Sequence, residues 1–351
     1  MAFFILCMVL ILLGLPFFSS VEAKEKPRIH LLATGGTIAG SAGSDTATTG
    51  YRAGALPVEV LVDGVPGIRE EAVLTGETVS AIDSKDMTED IWFTLSRRIR
   101  ELETSGETDG IVVIHGTDTM EETACFLELT TDHRIPVVLT GAMRPATAVS
   151  ADGPMNLLNA VRLAGEKEAA SMGVMVLMND TIFGARDVTK GNTLSLDTFC
   201  APRGPLGHMN DGQVEWYHGP LHREGEAPFP VDSLTTLPKV YILYGTAGAD
   251  GAMVRAALQA GAEGLVYAGT GNGSIHVADE KELAKAAARG IPVVRSSHAG
   301  SGTVIGAEAS YEKEHFIRGG SLNPQKARIL LQLALTKTHD YREIQEMFER
   351  Y

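Results

Sequence analysis

Short apolar runs alternate along this chain with longer stretches in which apolar residues recur at every third or fourth position. Continuous apolar runs bounded by polar residues are typical of strands that a parallel sheet buries on both faces. Four such runs lie in the first half of the chain, at residues 28–33 (RIHLLA), 110–114 (GIVVI), 136–140 (PVVLT) and 173–178 (GVMVLM). We therefore predict buried parallel strands at these positions.

Helical periodicity fills the stretches between these runs. Residues 88–103 carry one apolar stripe at spacings of three and four, formed by Trp92, Leu95, Ile99 and Leu102. Residues 119–130 and 152–163 show the same pattern more weakly. Strands that alternate with helices predict an α/β fold.

The alternation resumes in the second half of the chain after an irregular stretch. Residues 202–238 hold six prolines and lack sustained periodicity, and we interpret their second half as a linker between domains. The elements expected beyond it are strands at 239–244, 264–268 and 292–295, helices at 252–260, 279–288 and 341–350, and a helix opened by Asn323-Pro324. The sequence predicts two α/β domains, each around a mainly parallel sheet: a larger one at 24–215 and a smaller one at 239–351, with a linker at 216–238.

The first residues of the chain have a different character. Residues 3–18 are almost wholly apolar, and the small-residue pattern Val21-Glu22-Ala23 follows them. This arrangement is typical of a secretory signal peptide at residues 1–23, so we expect a periplasmic or secreted protein with no membrane partner after cleavage. An uncleaved membrane anchor is the alternative, which the shortness of the apolar run disfavours.

Charge and cysteine content restrict the partners and the cross-links. The 351 residues carry a net charge of −14, and removal of residues 1–23 takes away only Glu22. Such acidity disfavours nucleic acids and anionic membrane surfaces as partners. Cys125 and Cys200 remain after cleavage, and the sequence leaves open whether they form one disulfide, while two cysteines exclude a disulfide framework.

Candidate catalytic residues follow the predicted strands. Thr37 lies in a glycine-rich loop after the first strand, Thr117 and Asp118 follow the run at 110–114, and Lys190 follows a later strand. The loops beyond the carboxyl ends of parallel strands form the ligand site of an open α/β sheet. A threonine hydroxyl becomes a nucleophile when a neighbour accepts its proton, and a desolvated lysine can act as that base. Backbone amides of the glycine-rich loops can stabilise an oxyanion, and Asp118 can bind an ammonium group.

Each of these residues taken alone is equally compatible with a structural role, so the interpretation depends on their convergence at successive strand ends. Other chemistries lack their signatures. His218 and His222 are separated by Gly219-Pro220 and cannot share a helix face, and we predict neither a metal site nor a cofactor. The glycine-rich loop lacks the dinucleotide spacing, which disfavours a nicotinamide or flavin enzyme.

Several longer motifs occur in a fixed order. They are residues 33–40 (ATGGTIAG), 115–123 (HGTDTMEET), 141–145 (GAMRP), 150–154 (SADGP), 178–180 (MND), 186–190 (RDVTK) and 323–328 (NPQKAR). With these motifs the chain resembles the bacterial type II L-asparaginases, the secreted branch of the asparaginase–glutaminase family, from Arg28 to Tyr351. The resemblance implies hydrolysis of L-asparagine, and of L-glutamine as a second substrate, through an acyl-threonine and without a cofactor. It also implies a homotetramer with each site shared across a dimer.

The resemblance also implies roles for individual residues. Thr37 matches the acylated nucleophile, and Tyr51 matches the residue that helps to activate it. Thr117, Asp118 and Lys190 match a second catalytic group, in which Thr117 and Asp118 also contact the substrate and Asp118 binds its α-ammonium.

Four further positions match substrate contacts. Ser84 matches the contact to the α-carboxylate, and the Ala142 carbonyl matches an acceptor for the side-chain amide. In the second domain Ser274 falls where relatives have Asn or Ser, and Glu308 aligns with an acid that reaches across from a neighbouring subunit.

Lys85 departs from the pattern of the resembling family. Most secreted relatives have Gln or Glu beside the serine, and that side chain faces the substrate's ammonium. A lysine there would repel the ammonium by roughly 1 kcal/mol in a solvated site. Alternatively, Lys85 points outward and has no effect on the substrate.

A periplasmic amino-acid-binding protein without turnover is the rival interpretation of the whole chain, and such a protein has no need of the two threonine loops or of Lys190.

Overall fold

The computed structural model describes residues 25–41, 43–46, 50, 52–54, 56–219 and 227–351. The expected signal peptide at 1–23 and Tyr51 lie outside the described residues. The two predicted α/β sheets are both present in the described part of the chain, and the larger one is N-terminal.

The first sheet consists of β1 (Arg28–Gly35), β2 (Val73–Ile82), β3 (Gly110–Ile114), β4 (Val137–Thr140), β5 (Val174–Met178), β6 (Thr181–Gly184), β9 (Gly207–Asn210) and β10 (Gln213–Trp216). These strands lie in the order β10-β9-β6-β5-β4-β3-β1-β2. The five strands β2, β1, β3, β4 and β5 are parallel, and the remaining strands pair antiparallel at one edge. The predicted strands at 28–33, 110–114, 136–140 and 173–178 are thereby confirmed within two residues at each end.

Helices cover both faces of this sheet because their apolar sides pack against its buried strands. The stripe predicted over residues 88–103 is buried in α3, which runs two residues further than expected. The helices are α1 (Val58–Asp63), α2 (Ile68–Glu71), α3 (Glu89–Ser105), α4 (Met120–Thr130) and α5 (Gly153–Ala164). Between β6 and β9 the chain forms a separate antiparallel ribbon of β7 (Thr189–Lys190) and β8 (Phe199–Cys200).

The irregular stretch at 202–238 contains a hairpin that the sequence analysis did not predict. β9 and β10 lie within it, and β10 ends at Trp216, one residue beyond the domain end expected at 215. The hairpin extends the first sheet through pairing of β9 with β6. Six prolines and short polar strands obscured this element because two four-residue strands are too short to show a period.

The second sheet is parallel throughout, in the order β11-β12-β13-β14. Its strands are β11 (Val240–Tyr244), β12 (Gly264–Gly269), β13 (Val293–Ser297) and β14 (Ile317–Arg318), and its helices are α6 (Ala252–Gln259), α7 (Val277–Ala287), α8 (Ala309–Lys313), α9 (Pro324–Leu335) and α10 (Tyr341–Arg350). Asn323 caps α9 and Pro324 opens it, as predicted.

Helix α9 joins the two sheets through one hydrophobic core. Its residues from Ile329 to Leu335 are buried on every side, and they pack against α4 of the first sheet and against β11 and β12 of the second. A helix that is apolar all round is a buried helix. Cys125 and Cys200, the two cysteines among the described residues, are free: Cys125 lies inside this core and Cys200 is exposed. Burial raises the pKa of the Cys125 thiol to about 12.

Candidate active site

The first sheet changes winding direction between β1 and β3. From β1 the chain crosses to β2 on one side and then to β3 on the other, which gives the strand order 2-1-3-4-5. Ligands of open α/β sheets bind in the crevice outside the carboxyl ends of the two strands at such a switch point. The loop after β1 carries Thr37, and the loop after β3 carries Thr117 and Asp118. The topology therefore directs attention to these two loops.

These two loops touch through their glycines. A Cβ on Gly36 would lie 2.4 Å from the backbone nitrogen and Cα of Gly116, and Gly36 has a φ of +80°. Only glycine permits both this approach and this backbone conformation without strain. Thr37, which begins a short 3-10 turn directly after Gly36, and Thr117, directly after Gly116, consequently lie on adjoining loops and are both buried.

Lys190 connects the loop after β3 to the β7–β8 ribbon. Its Nζ lies 2.9 Å from Thr117 Oγ1 and 2.6 Å from Asp118 Oδ1. The lysine side chain is 17% exposed, whereas the Asp118 side chain is 56% exposed. The structure thus brings Thr117, Asp118 and Lys190 together, with the carboxylate open to solvent and the ammonium largely enclosed. Such a lysine can accept a hydroxyl proton when neutral and stabilise the resulting oxygen anion when charged.

A buried chain of hydrogen bonds supports the loop after β3. Trp92 Nε1 donates to Thr123 Oγ1 at 2.8 Å, and the Thr123 hydroxyl contacts His115 Nε2 at 2.9 Å. His115 Nδ1 lies 2.7 Å from the carbonyl oxygen of Gly116, which can only accept, so Nδ1 carries the proton. Burial lowers the pKa of His115 to about 4, which keeps the ring neutral. The sequence analysis assigned Trp92 to the core stripe and missed this second role.

Ser84 lies against the same loop from the end of β2. Its Oγ accepts the backbone N–H of Asp118 at 3.2 Å, and its carbonyl accepts from Thr119 Oγ1 at 2.7 Å. The neighbouring Lys85 turns outward, because Nζ binds the Asp83 carboxylate, with Asp86 at 3.7 Å, and its side chain is 61% exposed. Of the two orientations that the sequence left open for Lys85, this structure has the outward one.

The loop after β4 completes the edge of the crevice. Ala142 is fully buried, and Met143 Sδ accepts from Thr117 Oγ1 at 3.4 Å. Asp152 holds this loop, since its carboxylate accepts the backbone N–H groups of Met143 at 2.8 Å and Arg144 at 2.9 Å. The sequence analysis quoted Met143 and Asp152 only as motif letters, and their contact could be anticipated only from a structure.

Ser274 and Glu308 lie in the C-terminal part of the chain, in the loops that follow strands of the second sheet. Ser274 pairs with Thr270 in the turn after β12, and Glu308 is the exposed residue before α8. Between described residues, no hydrogen bond or ion pair joins either of them to Thr117, Asp118 or Lys190. Among the described residues of one chain, Ser274 and Glu308 are therefore not bonded to the group around Lys190.

Among the described residues, no group of three or more His, Cys, Asp or Glu side chains is placed to hold a metal ion. No helix in the same part of the chain has the length and apolar character needed to cross a bilayer.

Comparisons with known proteins show which family models and relatives this chain matches. The family model for the N-terminal part of asparaginases matches residues 28–222, and the model for the glutaminase/asparaginase C-terminal domain matches residues 239–348. The chain is 47% identical to L-asparaginase 2 of Escherichia coli K12 over 336 residues, which is 95% of each chain. It is 46% identical to the probable periplasmic L-asparaginase of Haemophilus influenzae over 336 residues, again 95% of each.

A solved structure has the same fold. The crystal structure of the probable cytoplasmic L-asparaginase from Campylobacter jejuni superposes with a TM-score of 0.90 at 48% identity, and the match covers 93% of this chain and all of that one. With two family models that together span most of its length, this chain belongs to the asparaginase family.

Proposed function

We propose that this protein hydrolyses L-asparagine to L-aspartate and ammonia through an acyl-threonine intermediate, with some activity on L-glutamine. The observation that carries the proposal is the contact of Lys190 Nζ with both Thr117 Oγ1 and Asp118 Oδ1, beside the loop of Thr37. A protein that only binds an amino acid needs a carboxylate for the ammonium, but it does not need a largely enclosed lysine on a threonine hydroxyl.

In the proposed reaction Thr37 is the nucleophile. Its hydroxyl oxygen attacks the side-chain amide carbon, the proton passes to a base that Tyr51 helps to supply, and the C–N bond breaks as ammonia leaves with that proton. Water then attacks the ester carbon, and its proton passes through the Thr117 hydroxyl to Lys190 in its neutral form. The C–O bond to Thr37 breaks, the threonine oxygen takes up this proton, and aspartate leaves with the Thr37 hydroxyl restored.

The same arrangement suggests how the substrate is held. The exposed Asp118 carboxylate is proposed to bind the α-ammonium, and the Ser84 hydroxyl to contact the α-carboxylate. The Ala142 carbonyl is the proposed acceptor for the amide N–H groups. Ser274 and Glu308 are proposed to reach the site of a neighbouring subunit, because among the described residues of one chain neither is bonded to the group around Lys190.

A homotetramer in the periplasm or outside the cell is part of this proposal. Shared sites require at least a dimer, because Ser274 and Glu308 would complete a partner's site. The Haemophilus relative is described as periplasmic and the Campylobacter structure as cytoplasmic, so the location depends on whether residues 1–23 are cleaved. The domain division at 24–215 and 239–351 with its linker at 216–238 also stays a prediction.

The test is ammonia release by the chain starting at Lys24, measured with asparagine and glutamine side by side in the presence of chelator. We expect turnover of asparagine, and near loss of kcat in Thr37→Ala and in Thr117→Val with the fold intact. Thr131→Val is the matched control, because Thr131 is also a buried threonine, and its hydroxyl donates to the Leu127 carbonyl in α4 with no other hydrogen bond to a described residue.

Two results would contradict the proposal. Stoichiometric binding of asparagine without ammonia would favour the rival amino-acid-binding protein. If Thr37→Ala kept more than about a tenth of the wild-type kcat, which is a loss below ~1.4 kcal/mol, Thr37 would not be the nucleophile.

A further inference from the structure

Lys190 lies on a strand that is not part of the eight-stranded first sheet. Its strand β7 has two residues and pairs only with the two-residue β8, outside the eight-stranded sheet. A two-stranded ribbon is at best marginally stable by itself. The 2.6 Å and 2.9 Å contacts of Lys190 with Asp118 and Thr117 therefore need support from another part of the molecule.

The first turn of α9 contacts the segment that leads into this strand. Lys326 Nζ donates to the backbone carbonyl of Arg186 at 2.9 Å and also to that of Val188. These carbonyls lie four and two residues before Lys190. Lys326 is 2% exposed, and no carboxylate oxygen of a described residue lies within ion-pair distance of its ammonium.

A buried ammonium without a carboxylate is costly, so its presence requires an explanation. Burial lowers the pKa of Lys326, as expected for a charge in an apolar core. A methionine would fill the same volume without that cost, but it would remove the Lys326 donor from the buried carbonyl of Val188 and from the partly buried carbonyl of Arg186. The burial of the Lys326 ammonium is thus explained by its hydrogen bonds to the backbone of the 186–190 segment.

Asn323 connects the 186–190 segment to the first turn of α4, which follows Asp118 in the chain. Its Nδ2 lies 3.4 Å from Thr189 Oγ1, directly before Lys190, and 3.3 Å from Glu121 Oε2. Glu121 is buried in the first turn of α4, three residues after Asp118. The amide of Asn323 therefore contacts both segments that meet at Lys190 and Asp118, while its Oδ1 caps α9 through Lys326 N at 3.0 Å.

We propose that Lys326 and Asn323 are positioning residues for the reaction: from the C-terminal part of the chain, they hold the 186–190 segment so that Lys190 stays in contact with Thr117 and Asp118. Neither residue would touch the substrate. The inference rests on the proposed role of Lys190 in turnover. It predicts that α9 affects the rate of the chemical step as well as the stability of the fold.

The principal variant is Lys326→Met, assayed for ammonia release from asparagine. We expect kcat to fall by about tenfold or more while KM changes less than about threefold, because a small displacement of a catalytic group lowers the rate more than it weakens binding. Asn323→Ser is the second variant: serine keeps the cap of α9 but lacks the amide that contacts Thr189 and Glu121. We expect a smaller fall in kcat for Asn323→Ser than for Lys326→Met. If Lys326→Met does not fold, Asn323→Ser alone tests the proposal.

Gln332→Met is the matched control on the same helix. Gln332 is also buried and donates to a backbone carbonyl, that of Pro238, and to Glu89, but it has no contact with the 186–190 segment. We expect it to lower the melting temperature and leave kcat within about twofold of wild type. An equal fall in kcat in this control would overturn the proposal, because any loosening of α9 would then explain the effect.

A second readout does not depend on turnover. Brief acetylation with acetic anhydride at fixed pH, read by mass spectrometry of the peptide that contains Lys190, measures how freely its amine is accessible. We expect faster acetylation of Lys190 in Lys326→Met and Asn323→Ser than in wild type or Gln332→Met. Wild type without ammonia release would refute the proposed function alone, whereas unchanged acetylation and unchanged kcat in both variants would refute the positioning role.

Discussion

Acid is expected to destabilise this fold through His115. The ring is fully buried, with its Nδ1 proton on the Gly116 carbonyl at 2.7 Å and Nε2 against the Thr123 hydroxyl at 2.9 Å. Trp92 occupies the other side of that hydroxyl by donating to its oxygen. Protonation of Nε2 would set a second N–H against the Thr123 hydroxyl, which would have to give up its own donation to the ring. The neutral ring therefore belongs to the folded state.

The size of the effect follows from the two pKa values. Burial lowers the pKa of His115 to about 4, whereas an unfolded histidine titrates near 6.5. Above pH 6.5 both states are neutral and the contribution of His115 to stability is complete. Between pH 6.5 and 4 the unfolded chain takes up a proton that the fold does not, so stability falls as the pH is lowered. At 1.36 kcal/mol for each pH unit, the total loss is about 3 kcal/mol.

The assay compares urea unfolding of wild type and His115→Gln at pH 7, 6, 5 and 4 and at one protomer concentration. Carboxylates titrate in both proteins, so the difference between them isolates the histidine. We expect the wild-type advantage to shrink by about 3 kcal/mol between pH 7 and 4. His339→Gln is the control, because His339 is exposed. A change below about 1 kcal/mol, or an equal change in the control, would refute the assignment of a buried neutral ring.

Two further substitutions test the description of the site. Lys85→Gln should leave KM for asparagine within about twofold, because Lys85 pairs with Asp83 and is largely exposed, and a clear fall in KM would show that its ammonium faces the substrate. Gly36→Ala should abolish most ammonia release, since its Cβ would come within 2.4 Å of Gly116 and separate the two threonine loops. Gly67→Ala, which also has a positive φ but meets nothing within 4 Å, should cost stability without loss of kcat, and equal activity of the two alanine variants would contradict the contact between the loops.

Elements with strong local patterns could be predicted from the sequence alone. The strand at 110–114 and the helix at 341–350 begin and end where the pattern indicated, because burial on both faces or along one stripe leaves a regular apolar period. β2 was not predicted, since it is an edge strand whose ten residues are all at least partly exposed and include Thr75 and Glu77. Its pairing with β1 is a tertiary property that no local period records.

The sequence by itself determined the fold class, the strand-end loops and the residue types at the candidate site, because these depend on local periodicity and on short motifs. Only the tertiary structure decided which side chains meet. Lys190 and Thr117 are 73 residues apart in the chain, and Lys326 lies 138 residues from Val188. The outward direction of Lys85 depends likewise on how its turn places Asp83. Such contacts depend on the packing of whole elements, which brings distant residues together and leaves no period in the sequence.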